Sequence, residues 1–364
     1  MIPFVDLRAQ YLGMKSEIDQ AIQQVVDDCA FISGKYARAF ETEFAAYCGA
    51  KHCIAVANGT DSLEILLEAK GFGPGDEIIV PAHTWISTAE AVSTCGATPV
   101  FVDSDEYYGM SVTSLSGAIT ERTKAIIPVH LHGHPANMPA IMEIASEYGL
   151  FVLEDCAQAH SAKVNGTPIT HFGHASSFSF YPGKNLGAYG DAGCIVTNDD
   201  ELARSCRQIA NHGQEGKHNH LRVGRNSRMD GIQAAVLSAK LKHIDDWTAK
   251  RIDRAAYYNE QLKDLPVETP PCRPGSTHVF HVYVIQCDNR DGLAAFLKER
   301  GIQNAIHYPN PLHLTDCYLK QGEGVGSLPQ CENATKRILS LPMFPELTND
   351  QIDEVAAAIR EFYG

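Results

Sequence analysis

The chain has 364 residues, 44% of them apolar, and a formal net charge of −14. That length allows one large and one smaller domain with a sizeable core. The acidic balance, without a basic block, excludes nucleic acid and anionic membrane as general partners, although a local pocket can still oppose the global sign.

The N-terminal "MIPFVDLRAQ" lacks the basic start and apolar run of a signal peptide. No stretch approaches the roughly 20 apolar residues of a membrane span. The 11 cysteines are scattered without a CxxC pair, as reduced thiols in a cytoplasm would be. The expectation is a cytoplasmic protein with no membrane partner.

In chain order, "GMKSEIDQAIQQVVDD" predicts a helix within residues 1–30. From about Lys51 to Asp246 short β-rich runs alternate with helical ones. "HCIAVAN" reads as a strand, and "DSLEILLEAK" as a helix with Leu63, Leu66 and Leu67 on one stripe. The turn "GFGPGD" leads into the strand "DEIIVP". "ATPVFVD", "TKAIIPVHL", "GLFVLED", "SSFSFY" and "GCIVTND" are further strands, several parted by helical segments. Such alternation predicts an α/β fold with a mostly parallel central sheet and helices on both faces. The proline-rich "LPVETPPCRPGST", 265–277, predicts an irregular connection. Beyond it "HVFHVYVIQC" and "QNAIHYP" read as strands, and "DGLAAFLKERG" as a helix ending at Gly301. A last helix starts at Thr348, with Gln351 completing a capping-box pattern. The division is 1–246 as a large domain and 247–364 as a smaller α+β domain.

Several stretches carry chemistry. In "ANGTDSLEILLEAK" a strand ends, Gly59-Thr60 turns and a helix begins near Asp61. The unpaired N–H groups of such a start favour a phosphate, and Gly59 lets the backbone approach it. An ordinary turn capped by Thr60 or Asp61 fits the same residues. The strand of "GLFVLEDCAQAHSA" is apolar until Glu154-Asp155 at its carboxyl end, where open α/β sheets gather ligands. Asp155 is either a carboxylate with a cationic partner or a helix cap. Trp85, past the strand of "VPAHTWISTAEA", is a flat wall for a ring ligand or a core residue. Lys184 sits in "SFSFYPGKNLGAYGDAG", a glycine-lined turn; a solvated loop lysine fits equally.

Other motifs fail. Alternation on a strand would put His130 and His132 of "VHLHGHP" on one face, but Gly133 and Pro135 break it, and no carboxylate or Cys stands at ligand spacing. No metal is expected. "GKHNHLR" reads as a polar loop, and "GFGPGDE" precedes a strand rather than opening a helix, so it is no dinucleotide fingerprint. Neither a GxxxxGK[ST] nor a GxSxG is present.

A phosphate cup, a carboxylate at a strand end and a lysine in another turn are together what pyridoxal 5'-phosphate requires: a Schiff base with the lysine, a carboxylate that keeps the ring nitrogen protonated, a phosphate site and an aromatic over the ring.

"PFVDLRAQY", "ANGTDSL", "GPGDEIIVPAHTWISTAEA", "GATPVFVD", "TKAIIPVHLHG", "EDCAQAHSA", "FYPGKNLGAYGDAG", "VGRNSRMDGIQAAVL" and "IHYPNPLH" run in order over essentially the whole chain. They resemble the DegT/DnrJ/EryC1/StrS family of pyridoxal-phosphate-dependent nucleotide-sugar aminotransferases, of aspartate aminotransferase fold type I. The resemblance implies Lys184 as the Schiff-base lysine and proton shuttle, and Asp155 as the pyridinium partner. It implies Gln158 beside the ring hydroxyl, Gly59, Thr60 and Ser179 at the phosphate, and Trp85 over the ring. Asn226 matches the asparagine that reaches the phosphate from the other subunit of a homodimer with shared sites. Arg228, His307 and Tyr308 fall where relatives contact the nucleotide-sugar; Arg228 and His307 are expected to oppose its negative charge. Some relatives carry His in place of the lysine and act as dehydratases; Lys184 here implies transamination. The blocks are most similar to those of enzymes aminating C3 of a keto-sugar, of the dTDP-3-keto-6-deoxyhexose branch or the UDP-3-keto-glucuronate branch. The donor is expected to be glutamate. A C4 aminotransferase and a non-catalytic sensor or regulator of the same fold are the alternatives.

Overall fold

The computed structural model describes residues 1–319 and 324–364. A seven-stranded sheet runs in the order His52–Val56, Gly193–Thr197, Ala175–Ser179, Phe151–Asp155, Thr123–Ile126, Glu77–Pro81, Thr98–Val102. All neighbours pair in parallel except Gly193–Thr197, which runs antiparallel to both of its partners. The central strands Glu77–Pro81 and Phe151–Asp155 are almost wholly buried, as strands covered on both faces must be.

One face is covered by helices Gly59–Lys70, Ser87–Thr94 and Asp200–Ala210, whose apolar residues join Ile54, Ile78 and Leu153. The stripe read from the sequence, Leu63, Leu66 and Leu67, is buried there together with Ile65. On the other face helices Gly34–Cys48 and Gly231–Leu241 pack Phe40, Phe44 and Leu237 against Phe178, Phe180 and Cys194. A second antiparallel sheet, in the order Val267–Glu268, Tyr283–Cys287, Ile338–Leu341, packs against helices Ile244–Leu262, Arg290–Glu299 and Asn349–Tyr363. Thr348 and Gln351 make both bonds of the capping box. None of the described helices is long and apolar enough to cross a membrane.

The expected N-terminal helix is Lys15–Asp27. The structure adds or corrects several other elements. A further short helix, Leu7–Gly13, precedes it, parted by Met14. The connection 265–277 holds two short strands, Val267–Glu268 and Ser276–Thr277, the latter paired with Lys163–Val164. Three expected strands are cut short where their backbone bonds elsewhere. "TKAIIPVHL" is a strand only to Ile126; Pro128 has no N–H, and Leu131–Gly133 is a 3₁₀ turn, so His130 and His132 do not share a strand face. "HVFHVYVIQC" is a strand only from Tyr283, because Val279 donates to Gly133 O at 2.9 Å and the carbonyls of Phe280 and His281 accept from buried Arg251. "QNAIHYP" keeps one bridge, Ala305 to Ser340, and its next residues bond to imidazoles instead.

One contact ties the large sheet to the helix Pro329–Arg337. Buried Asp103, just past the strand Thr98–Val102, accepts from Gln330 N at 2.9 Å and Cys331 N at 2.8 Å, capping that helix from outside its own segment. Asp103→Ala is expected to cost about 1–2 kcal/mol, the usual worth of a cap. The thermal midpoint should fall by a few degrees while the far-ultraviolet dichroism at 20 °C stays that of the parent.

Candidate active site

The carboxyl ends of the central strands carry the site. Two residues past strand His52–Val56 stands Asn58, whose side chain accepts from Asp61 N at 2.8 Å. The cap is therefore Asn58, not Thr60 or Asp61, and the helix begins at Gly59. The Gly59 and Thr60 amides, in the first turn, have no intrahelical partner. A Cβ on Gly59 would lie 2.7 Å from Ser179 Cβ, so only glycine lets this helix start meet the end of strand Ala175–Ser179. Thr60 Oγ1 is 2.7 Å from Ser87 Oγ, which opens the helix after Trp85. The result is a cup of two open amides and three hydroxyls, from Thr60, Ser87 and Ser179, at a helix N-terminus, as a phosphate group needs.

Asp155 is buried at the end of its strand. It accepts from Thr88 Oγ1 at 2.9 Å and Ala157 N at 3.1 Å. Burial pushes its carboxyl pKa up; the Ala157 amide, the Thr88 hydroxyl and the Lys184 charge oppose this without cancelling it. No helix follows Asp155, so it is not a helix cap.

Lys184 is half-buried. Among the described residues its Nζ makes no hydrogen bond or ion pair. Burial lowers its pKa to about 8, against a smaller upward pull from Asp155. A solvated loop lysine would keep its ordinary value. The turn around it is closed by Lys184 N to Tyr181 O at 2.8 Å. A Cβ on Gly187 would lie 2.3 Å from Pro182 O, so glycine there is what allows the turn to fold back. Buried Lys240 donates to Gly187 O at 2.8 Å, and Asn185 Nδ2 to Val279 O at 3.1 Å, fixing the turn from both sides.

Gln158 Oε1 accepts from His132 N at 2.7 Å, and its Nε2 donates to Tyr308 OH at 2.9 Å. The Tyr308 ring lies 5.5 Å from that of Trp85. Trp85 is 56% exposed, which excludes a core role. Gly59, Thr60, Trp85, Asp155, Gln158, Ser179, Lys184 and Tyr308 thus belong to one site.

Asn226 is exposed and outside that group; its neighbour Ser227 accepts from Ala57 N at 3.2 Å, and Arg225 pairs with Glu64 and Glu68. Arg228 is half-buried, with Nε buried and unpartnered, and makes no ion pair among the described residues. His307 bonds to Ser340 Oγ at 2.8 Å, and burial takes its pKa to about 4. It is a neutral imidazole near pH 7, which corrects the expectation of a second cation beside Arg228. Sequence reasoning also missed Thr88, His83, His132 and Asn185, which hold the site residues in place. Thr88 lies in the same motif as Trp85, five residues beyond His83.

The metal question is answered by chemistry. The structure does bring a carboxylate and a thiol to His130: Glu154 and Cys156 place ligand atoms within 4.8 Å of it and of one another. Yet His130 Nδ1 accepts from Ala136 N and its Nε2 donates to Glu154 Oε2, both at 3.0 Å, while Glu154 Oε1 accepts from Gly173 N at 2.8 Å. Both ring nitrogens are spent on structural hydrogen bonds.

A helix-start anion cup, a buried carboxylate, a lysine of lowered pKa and an exposed aromatic ring suit pyridoxal 5'-phosphate, and the bare Gly59 lets Ser179 close against the cup. With its mixed sheet and flanking helices, the chain has the type I fold of pyridoxal-phosphate-dependent transferases, as in aspartate aminotransferase. Residues 13–360 match the DegT/DnrJ/EryC1/StrS aminotransferase family. It is 48% identical to "Pleiotropic regulatory protein" of Geobacillus stearothermophilus, over 100% of this chain and 98% of that one. It is 46% identical to "UDP-N-acetyl-3-dehydro-alpha-D-glucosamine 3-aminotranferase" of Acidithiobacillus ferrooxidans (99% and 97%). With "dTDP-3-amino-3,4,6-trideoxy-alpha-D-glucose transaminase" of Streptomyces venezuelae it shares 43% identity (99% and 96%). The crystal structure of S. venezuelae DesV in complex with ketimine intermediate superposes with a TM-score of 0.96, at 44% identity over 99% of this chain and 98% of that one. The chain belongs to the DegT/DnrJ/EryC1/StrS family and is a pyridoxal-phosphate-dependent sugar-nucleotide aminotransferase.

In the cofactor-free protein, acylation of Lys184 should be half-maximal near pH 8, against about 10.4 for an ordinary lysine. In Asp155→Asn the midpoint should move below that of the parent, because the charge that raises it is gone. Mass spectrometry of the labelled peptide across a pH series reads both midpoints; an unchanged midpoint would separate the two residues electrostatically.

Proposed function

We propose that the chain aminates C3 of a nucleotide-linked 3-keto sugar of the dTDP-3-keto-6-deoxyhexose type, with glutamate as donor. The observation that carries the transaminase chemistry is the buried Asp155 facing the pKa-lowered Lys184. The choice of C3 is supported by the activities named for the Acidithiobacillus and Streptomyces relatives. The first of these favours a second reading, a UDP-linked 3-keto sugar such as the 3-keto-glucuronate type. The regulatory name belongs to the Geobacillus protein; a regulator has no need of the Asp155 and Lys184 arrangement.

When bound, pyridoxal phosphate supplies an aldehyde for the amino group and a ring that takes up electrons from the α-carbon. Asp155 would keep the ring nitrogen protonated. Lys184 Nζ would hold the cofactor, and its amine is the group that would move the proton at the donor's α-carbon. Gly59, Thr60 and Ser179 would bind the phosphate, with Trp85 beside the ring and Gln158 toward the ring hydroxyl. Arg228 opposes the diphosphate charge; neutral His307 and Tyr308 hold the sugar by hydrogen bonds.

The assembly is a homodimer with shared sites, in which Asn226 reaches the partner's phosphate cup. Its exposure, and that of Leu221 and Val223 beside it and of Phe31 and Ile32, supports a covered face there. Residues 1–246 form the cofactor-binding domain and 247–364 the small domain. The cytoplasm is the proposed compartment, which suits 11 free cysteines.

A panel of 3-keto and 4-keto sugar nucleotides, linked to dTDP or UDP and assayed with glutamate, tests the substrate. Amination of 4-keto sugars alone would sink the C3 assignment and leave the aminotransferase. Arg228→Ala should raise the Michaelis constant for the sugar nucleotide by about tenfold or more, as loss of a charge-assisted contact does, and that for glutamate by far less.

The shared site makes a separate prediction. Inactive Lys184→Ala and inactive Asn226→Asp subunits, mixed under conditions of shown subunit exchange, should regain activity in hybrid dimers. Exchange without recovery would mean that each subunit completes its own site.

A further inference from the structure

The peptide joining His307 to Tyr308 has no partner strand, yet both of its polar groups are bonded. His83 Nε2 lies 3.1 Å from Tyr308 N, and His132 Nε2 lies 2.7 Å from His307 O. The partners fix the tautomers. An amide can only donate, so His83 Nε2 is a bare lone pair and its proton is on Nδ1, which is buried and unpartnered. A carbonyl can only accept, so His132 Nε2 carries the proton. Burial keeps both rings neutral at pH 7, as these opposed tautomers require. The two rings stand edge to face, 5.8 Å apart, with Tyr108 packed against both.

His132 makes a second contact. Its backbone lies in the left-handed region, φ 60°, where few residues other than glycine are found. In that conformation its N–H bonds Gln158 Oε1, which turns Gln158 Nε2 toward Tyr308 OH. The bonds close a ring through three separate segments, from Tyr308 to Gln158, to His132 and back to His307, and His83 holds that ring from outside it through Tyr308 N.

We propose that His83 and His132 are positioning residues of the active site: one accepts a hydrogen bond from Tyr308 N, the other donates one to the His307 carbonyl, and together they fix the Tyr308 hydroxyl on Gln158. Neither touches the reacting atoms. The pair grips the backbone, so it sets where Tyr308 stands beside the sugar whatever its side chain contacts. This role rests on the proposed place of Tyr308 at the sugar nucleotide.

The test compares His83→Leu, which removes the acceptor, with His83→Gln, whose Oε1 can reach the same N–H. Hydrogen exchange on the holoenzyme, read in the peptide spanning 302–312, should quicken about tenfold or more in the Leu variant and stay within about threefold of the parent in the Gln variant. The two half-reactions, followed by cofactor absorbance, should separate. His83→Leu should lose about tenfold in kcat/KM for the keto-sugar and less than about threefold for the amino acid. Unchanged exchange in His83→Leu overturns the clamp. Equal losses in both half-reactions, or the same loss in Gln as in Leu, overturn the positioning role. If His83→Leu does not fold, His132→Met carries the same comparison by removing the bond to His307 O. A parent enzyme inactive on every sugar nucleotide would overturn the substrate reading alone, and the exchange result would still decide the clamp.

Discussion

The site depends on a carboxylate kept out of water at the end of a central strand. Burying Asp155 alone would cost several kcal/mol, and two hydrogen bonds offset only part of that. The Lys184 cation adds a smaller offset: burial raises the carboxyl and lowers the amine, and each charge pulls the other back in part. A lysine near pKa 8 is partly neutral at physiological pH, the form that can attack a carbonyl carbon. The turn that presents Lys184 is held through Gly187 by buried Lys240 and through Asn185 by the Val279 carbonyl.

The site also takes backbone away from the sheets. Strand pairing stops at Ile126, begins only at Tyr283 and ends after the single bridge at Ala305, and in each case the freed amides and carbonyls find other partners. His130 N bonds Asp155 O; the carbonyls of Phe280, His281 and Met343 converge on Arg251; Tyr308 N and His307 O meet imidazoles. No buried polar group can be left unmet without cost, so a segment that leaves a sheet must find side-chain partners. The histidines of "PAHTW" and "VHLHGHP" supply several of them.

Charge follows the same economy of placement. The chain is strongly acidic, yet Lys184 and Arg228 form no ion pair among the described residues, whereas Arg225, the residue before Asn226, is matched to Glu64 and Glu68. Arg228, a half-buried cation without an ion pair among the described residues, is available to an anionic ligand at little competing cost, which suits the proposed diphosphate substrate.

The sequence by itself determined the alternation of strands and helices, the mostly parallel sheet, the capping box at Thr348 and the separate places of Lys184, Asp155 and the Gly59 turn. Each of these follows from local pattern: apolar period, turn residues, and a charged residue at the end of an apolar run. It did not determine that Gly193–Thr197 runs against its neighbours, that Asn58 is the cap, that three strands stop early, or that His307 is uncharged. Nor could it show Glu154 and Cys156 meeting His130, since ligand spacing along a chain says nothing of strands brought side by side. Those features were decided only in the tertiary structure, because they depend on which distant group lies within hydrogen-bond reach of a backbone amide, and on how much water the fold removes from around each titratable side chain.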